Sequence, residues 1–122
     1  MDLLAAAERY RELLRAGEGT GVIPALEIWG SSPALGRLGQ AAFVMMEAGV
    51  PGACVVPDVF HLHRSGSGLD GVRFLAGSAI AVFHLNDYPA LPREELRDSH
   101  RVFPGDGVAP LRARHATSQI GI

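Results

Sequence analysis

Three polar residues that could bind a cation or move a proton follow three apolar runs of the sequence. They are Glu27, Asp58 and His84, and each lies at or just beyond the C-terminal end of a predicted strand. In a parallel sheet all strand C-termini lie at one edge, where ligands bind in α/β folds. Two carboxylates and an imidazole suit Mn²⁺, Mg²⁺, Co²⁺ or Zn²⁺ without choosing among them. The spacing therefore predicts one shared metal site at this edge.

Each of these three residues also has a purely structural interpretation. Glu27 interrupts an apolar run, and a buried carboxylate there could pair with an arginine. Asp58 follows Pro57 and could be an Asx-turn residue. His84 could be a core histidine whose nitrogens are hydrogen-bonded. The same position in three successive repeats favours the shared site over three independent structural roles.

Two further residues are candidates for contacting a substrate. His61 lies three residues after Asp58, in a predicted loop, so both side chains could line one cavity wall. The alternative is a surface histidine, which is how we interpret the neighbouring His63. Arg101 could bind an anionic or hydroxyl-rich molecule, or it could be a solvated loop charge.

Two other motifs have competing interpretations. Asn86 and Asp87 could hydrogen-bond the ligand residues, or they could start a turn. The segment 66–71 (GSGLDG) matches the G-x-G-x-x-G pattern of dinucleotide-binding folds. In those folds the strand runs almost straight into the first glycine, whereas residues 57–65 intervene here. A flexible loop and helix cap is therefore favoured, with dinucleotide binding as the weaker alternative.

The pattern of apolar residues predicts the elements that would position these side chains. Strands are expected around 22–28, 53–57 and 79–84, and their starts are roughly 26–31 residues apart, the length of a βα repeat. Helices are expected over 2–16, from an N-cap motif at 31–33 to Ala48, and briefly after Ser67, followed by a long loop over 86–107. This alternation predicts an α/β fold with a parallel sheet.

Composition excludes several classes of protein. The 122 residues are 48% hydrophobic and 20% charged, which excludes a disordered chain or a coiled coil. No apolar run approaches the length of a membrane span, and one cysteine, Cys54, excludes a disulfide framework. The eleven basic residues are all arginine, are not clustered and leave a net charge of −2, which argues against nucleic-acid binding. Met1 leads directly into a helical pattern with no signal peptide, so we expect a cytoplasmic location.

Four segments in order resemble the sugar phosphate isomerase/epimerase family, the xylose isomerase-like TIM barrel superfamily. The resemblance covers residues 1–111 and implies the C-terminal half of a (β/α)₈ barrel, about strands 5 to 7 with flanking helices. Residues 112–122 depart from the family pattern and form an atypical tail. The four segments are 25–30 (ALEIWG), 57–61 (PDVFH), 82–89 (VFHLNDYP) and 101–107 (RVFPGDG).

The resemblance implies a role for each candidate residue. Glu27, Asp58 and His84 would bind a divalent metal, Mn²⁺ before Mg²⁺, Co²⁺ or Zn²⁺, and Glu27 would also act as an acid/base group. His61 and Arg101 would contact substrate oxygens. The implied reaction isomerises or epimerises a small sugar or keto acid by proton transfer through a metal-stabilised enediolate.

The resemblance also implies a fourth ligand, a second glutamate on the last barrel strand, but no glutamate follows Glu95. The chain would carry three ligands of four, so an inactive barrel fragment that acts only in binding or assembly is the alternative. An open sheet of three strands leaves two unpaired edges. We therefore expect self-association or pairing with a complementary half barrel.

Overall fold

Helices alternate with short parallel strands over residues 1–111, the part of the chain that the computed structural model describes. The tail predicted at 112–122 lies outside these residues. The regular elements are α1 (Leu3–Gly17), β1 (Leu26–Glu27), α2 (Leu38–Ala48), β2 (Val55–Val56) and α3 (Val59–Arg64), with 3₁₀ turns at Asp70–Phe74, Gly77–Ala79, Arg93–Glu95 and Asp98–His100.

The strands β1 and β2 form a parallel pair connected through α2. Leu26 lies opposite Val55, and Glu27 lies opposite Val56. Both strands come from the apolar runs that predicted them, and Val55 is fully buried. The predicted parallel βαβ order is confirmed, although each strand is only two residues long, which is shorter than predicted.

The third predicted strand, 79–84, is present as two isolated parallel bridges along β2. Ile80 pairs with Val55, and His84 pairs with Asp58. Ile80 lies 25 positions after its partner and His84 lies 26 positions after its own, so one extra residue bulges out between the bridges. The prediction of a regular strand is wrong here because the bulge interrupts the ladder.

The first helix forms where the sequence predicts it. The carboxylate of Asp2 accepts the backbone N–H groups of Leu4 and Ala5 at 2.9 and 3.3 Å, so two of the unpaired first-turn donors are satisfied. The helix packs its apolar stripe onto α2. The buried residues of α1 are Ala7, Tyr10 and Leu14.

The second helix begins later than predicted. The motif at 31–33 forms a turn instead, because the Ser32 hydroxyl accepts backbone N–H groups within that turn. The helix begins at Leu38, whose N–H donates to the Ser67 hydroxyl at 3.0 Å. Its predicted end is confirmed, since Gly49 takes a left-handed conformation with a φ of 62°.

The elements after β2 also differ from the prediction. Helix α3 occupies 59–64, which the sequence predicted as a loop. The helix predicted after Ser67 is replaced by 3₁₀ turns, and the Ser67 hydroxyl caps α2 rather than a helix of its own. The predicted long loop over 86–107 contains two further 3₁₀ turns.

Two hydrophobic clusters hold the elements together. The larger one centres on Ile28, Val55 and Phe60, directly beneath the C-terminal ends of the strands. The smaller one joins α1 to α2. The Tyr10 hydroxyl accepts the N–H of Cys54 at 3.0 Å and so ties α1 to the start of β2. Over residues 1–111, no helix is long and apolar enough to cross a membrane.

Candidate functional site

Asp58 and His84 meet at the C-terminal edge of the sheet. Asp58 is only 2% exposed, whereas the side chain of His84 is 43% exposed. Asp58 Oδ2 lies 3.4 Å from His84 Nδ1, beyond the 2.7–3.2 Å of an ordinary N–H···O hydrogen bond. Two ligands bound tetrahedrally at about 2.1 Å to one zinc ion lie about 3.4 Å apart. The pair therefore has the chemistry and spacing of two ligands of one cation, and His84 is not a core histidine.

The Asp58 carboxylate also caps α3. Its Oδ1 accepts the backbone N–H of His61 at 3.0 Å, which is the usual bond of an N-cap aspartate. The side-chain amide of Asn86 donates to both carboxylate oxygens, each at 3.1 Å. Asp58 thus has a structural role as the N-cap of α3, rather than as the Asx-turn residue considered from the sequence, and the same side chain faces His84.

Glu27 lies on the same face of the sheet as this pair, but it is not in contact with the two residues. Its partner Val56 is two positions before Asp58, so their side chains share a face. The step between Val56 and Asp58 is about 6.6 Å along the strand. Among residues 1–111, no three His, Cys, Asp or Glu side chains are grouped closely enough to hold a metal ion. The three-residue metal site stays a prediction, and the alternative of a buried ion pair is wrong because Glu27 is exposed.

His61 is buried beside Asp58 rather than lying at the surface. It is 6% exposed, and its ring meets the Phe60 ring edge-on at 5.4 Å between centroids. Its Nδ1 has no hydrogen-bond partner within the described residues. A buried polar nitrogen without a partner is costly, and this atom has almost no accessible surface. The role of His61 in substrate binding stays a prediction.

The interpretation of His63 as an ordinary surface histidine is wrong. Its ring stacks on Tyr88 at 4.0 Å with an angle of 11° between the planes, and the side chain is half-buried. Burial lowers the pKa of His63, and the nearby positive charge of Arg93 lowers it further. His63 therefore packs α3 against the loop that contains Tyr88.

Arg101 lines a cleft next to the pair. The cleft has a volume of about 360 Å³. The Arg101 side chain is exposed, its Nε donates to the Asp98 carbonyl at 3.2 Å, and its guanidinium lies 5.6 Å above the Phe60 ring. The residues around the cleft are Leu85, Asn86, Arg101, Val102, Phe103 and Pro104. The predicted contact of Arg101 with a substrate stays a prediction.

Asp87 has an organising role that the sequence left open. It is 1% exposed, and its two oxygens accept four backbone N–H groups at 2.8–3.1 Å, those of Tyr88, Gly105, Gly107 and Ala109. Burial opposes ionisation, but the four donors outweigh it and lower the pKa of Asp87. The nearby glycine-rich segment, whose N–H groups need an acceptor, could have indicated this role.

The glycine motif at 66–71 is a loop and helix cap, as favoured from the sequence. Gly66 and Gly68 have φ values of 76° and 71°, which only glycine adopts easily. The Ser67 hydroxyl between them accepts the N–H of Leu38. The motif leads into a 3₁₀ turn rather than an α-helix, so it lacks the helix N-terminus that a dinucleotide phosphate needs.

The sequence matches the family model of the xylose isomerase-like TIM barrel over residues 2–116. It is 32% identical over 114 residues to an inosose isomerase of Bacillus licheniformis, and 31% identical over 112 residues to one of Bacillus subtilis. These alignments cover 93% and 90% of this chain but 41% and 40% of the relatives. The chain therefore spans about two fifths of the length of the curated relatives it matches.

Solved structures show the same fold. The IolI protein with a bound zinc atom superposes with a TM-score of 0.86 at 29% identity, over 98% of this chain and 44% of that one. A xylose isomerase domain-containing protein from Salmonella typhimurium superposes with a TM-score of 0.76 at 22% identity, over 93% and 44%. The predicted α/β fold and partial TIM barrel are confirmed.

Proposed function

Because the chain belongs to the xylose isomerase-like TIM barrel family, we propose that it forms part of a metal-dependent isomerase for polyhydroxylated ketones. The curated relatives are inosose isomerases, and we propose an inosose or a similar small sugar or keto acid as the substrate. The observation that carries the proposal is the approach of Asp58 Oδ2 to His84 Nδ1 at the edge of the sheet. We further propose a cytoplasmic location, in keeping with the single free cysteine.

Asp58 and His84 are donors of the kinds that bind a divalent cation, and they lie close enough to share one. Asp58 and His84 would supply one oxygen and one nitrogen ligand, and Glu27 would supply a second carboxylate from the same face. Zinc is bound in a structural neighbour, and oxygen and nitrogen donors of these types are found with both Zn²⁺ and Mn²⁺. When bound, such an ion polarises a carbonyl oxygen as a Lewis acid.

The side chains around the pair would divide the remaining work. The exposed carboxylate of Glu27 would take the proton from the carbon that bears a hydroxyl next to the carbonyl. It would then give a proton, which can exchange with solvent on this exposed carboxylate, to the former carbonyl carbon. The hydroxyl proton would pass to the former carbonyl oxygen, so that the carbonyl and hydroxyl exchange places with no net change in atoms. Arg101, which lines the cleft, and His61, which is buried beside Asp58, would contact substrate oxygens.

Zinc titration calorimetry of the full chain tests the proposed metal site. We expect one site per chain, lost in D58N and in H84A because each variant removes a ligand. D106N is the matched control, since Asp106 is an exposed carboxylate away from the pair, and it should bind as the wild type does. A wild-type chain that binds no zinc, or variants that bind as tightly as D106N, would refute the site.

Proton exchange tests the chemistry. The zinc-loaded chain is incubated with an inosose in D₂O. Deuterium should then appear on the carbon next to the carbonyl, and nuclear magnetic resonance measures its incorporation. E27Q should lose the exchange and should also bind zinc more weakly, because the variant removes both the acid/base group and a proposed ligand carboxylate. Exchange in E27Q at the wild-type rate would contradict the acid/base role of Glu27.

The exposed apolar edge favours a second activity, assembly. Within residues 1–111, β1 pairs only with β2, and Val22, Ile23, Val82 and Leu85 are exposed beside the two outer edges. We propose that the chain self-associates or pairs with a complementary half barrel that covers these edges. Light scattering of the purified chain should give a mass above that of one chain. A compact monomer that remains stable alone would contradict this proposal.

A further inference from the structure

We propose that Asn86 is a positioning residue whose side-chain amide fixes the Asp58 carboxylate so that Oδ2 alone is left to face His84. The proposal rests on the metal site proposed above and assigns a role to a residue outside the predicted ligand set. Asn86 is half-buried and follows His84 by two positions. It would act through Asp58 and would not touch the substrate's reacting atoms.

The donors around Asp58 are distributed unequally over its two oxygens. Oδ1 accepts from the His61 N–H at 3.0 Å and from Asn86 Nδ2 at 3.1 Å. Among the described residues, Oδ2 accepts only from Asn86 Nδ2, at 3.1 Å, and it faces His84 Nδ1 at 3.4 Å. A carboxylate oxygen has two acceptor positions. Oδ1 therefore has one donor more than Oδ2, and the side of Oδ2 that is left without a donor lies towards the imidazole.

Asn86 is itself held in one orientation. Its Oδ1 accepts the backbone N–H of Phe60 at 2.8 Å, in the first turn of α3. Because the oxygen is fixed by that donor, the amide nitrogen must point at Asp58. Reversing the amide would bring an N–H group against the Phe60 N–H and an oxygen against the carboxylate, and both contacts are repulsive. The orientation of Asn86 therefore determines the orientation of Asp58.

This arrangement would make Asp58 a ligand through one oxygen. Without Asn86, the carboxylate would be held only by the His61 N–H and could rotate about its last bond. Rotation would present both oxygens, or neither, to a cation next to His84. Hydrogen bonds that orient a ligand side chain commonly contribute about tenfold to a hundredfold in metal affinity, and we expect Asn86 to contribute in this range.

Zinc titration calorimetry of the full chain tests the proposal with two variants. N86A should weaken zinc binding by about tenfold or more, and it also loosens the start of α3. S65A is the matched control because Ser65 donates to the Leu62 carbonyl at the other end of the same helix. S65A should lose stability in thermal unfolding but keep the wild-type zinc affinity.

Cobalt substitution provides a second readout that loosening of α3 alone would not change. The visible spectrum of the Co²⁺-loaded chain should differ between N86A and the wild type, because a freed carboxylate alters the number of oxygen ligands. S65A should give the wild-type spectrum. N86A with wild-type zinc affinity and spectrum would overturn the role of Asn86 while leaving the metal site intact. A wild-type chain that binds no zinc would overturn both proposals together.

Discussion

Asp58 and Asp87 are two buried carboxylates with different surroundings. Both are almost inaccessible to solvent, at 2% and 1% exposure. Over residues 1–111, the donors to Asp87 are four backbone N–H groups of its own loop region. Asp58 receives one backbone N–H and one side-chain amide, and it faces an exposed histidine. Burial alone therefore does not distinguish the structural carboxylate of Asp87 from the candidate ligand Asp58.

The number and kind of donors separate the two roles. Four backbone donors satisfy the charge of Asp87 completely, and they fix the loop that carries Arg101 and the cleft wall. Asp58 keeps an acceptor position directed at His84, where a cation could replace the missing donor. Stability should therefore depend mainly on Asp87, and ligand binding should depend mainly on Asp58.

The largest expected effect is that of D87A on stability. The variant removes four charge-assisted hydrogen bonds, and we expect a loss of about 3 kcal/mol in the free energy of unfolding, since water replaces part of them. Urea unfolding at neutral pH measures the loss. D106A, which removes an exposed carboxylate from the same loop, should change the free energy by less than about 0.5 kcal/mol. Equal losses in both variants would remove the distinction drawn here.

A smaller loss is expected for G107A. A Cβ at this position would overlap the carboxylate of Asp87 and the carbonyl of Tyr88, so the loop must shift. We expect a loss of about 2 kcal/mol in the free energy of unfolding. G77A is the matched control because a Cβ at Gly77 meets nothing within 4 Å and the backbone is not left-handed. If G107A unfolds at the same urea concentration as G77A, the inference that the loop packs tightly onto Asp87 is wrong.

D58A is expected to cost less stability than either loop variant. It removes the N-cap of a short helix, which contributes about 1 kcal/mol, while zinc binding should be lost. Urea unfolding measures the free energy of unfolding, and zinc titration of the same sample measures the zinc affinity. A loss of stability as large as that of D87A would show that Asp58 is mainly structural.

The smallest expected difference is in the response to acid. Because the folded pKa of Asp87 is lowered, its contribution is fully present above its unfolded pKa, about 3.9. That contribution is lost as the pH falls through the lower folded value. The stability of D87N should therefore fall less steeply than that of the wild type below about pH 4. Urea midpoints between pH 7 and pH 3 check this, and parallel curves would contradict it.

Much of the fold was predictable from local sequence signals. The start of α1 follows from Asp2 before an apolar stripe, and the end of α2 follows from Gly49, because caps are local features. The parallel order of β1 and β2 follows from their apolar runs. The start of α2 was not predictable, since its cap is the hydroxyl of Ser67, 29 positions away.

The candidate site was predictable in part. Asp58 and His84 were identified as candidates by residue type and by their position after a predicted strand. The structure brings these two side chains together. The bulge before His84 could not be predicted, because the apolar run in which it lies has the pattern of a regular strand. The roles of Asn86 and Asp87 were also open, because adjacent residues of a loop can serve different partners. One binds Asp58, and the other binds the N–H groups of Gly105 and Gly107.

The sequence by itself determined the βα alternation, the edge of the sheet at which polar groups collect and the types of donor available there. These properties depend on apolar periodicity and on residue chemistry, and both are local properties of the sequence. Only the tertiary structure decided that Asp58 has one free acceptor position and that Asp87 has none. That difference depends on donors up to 28 positions away in the chain, which folding alone brings within hydrogen-bond distance.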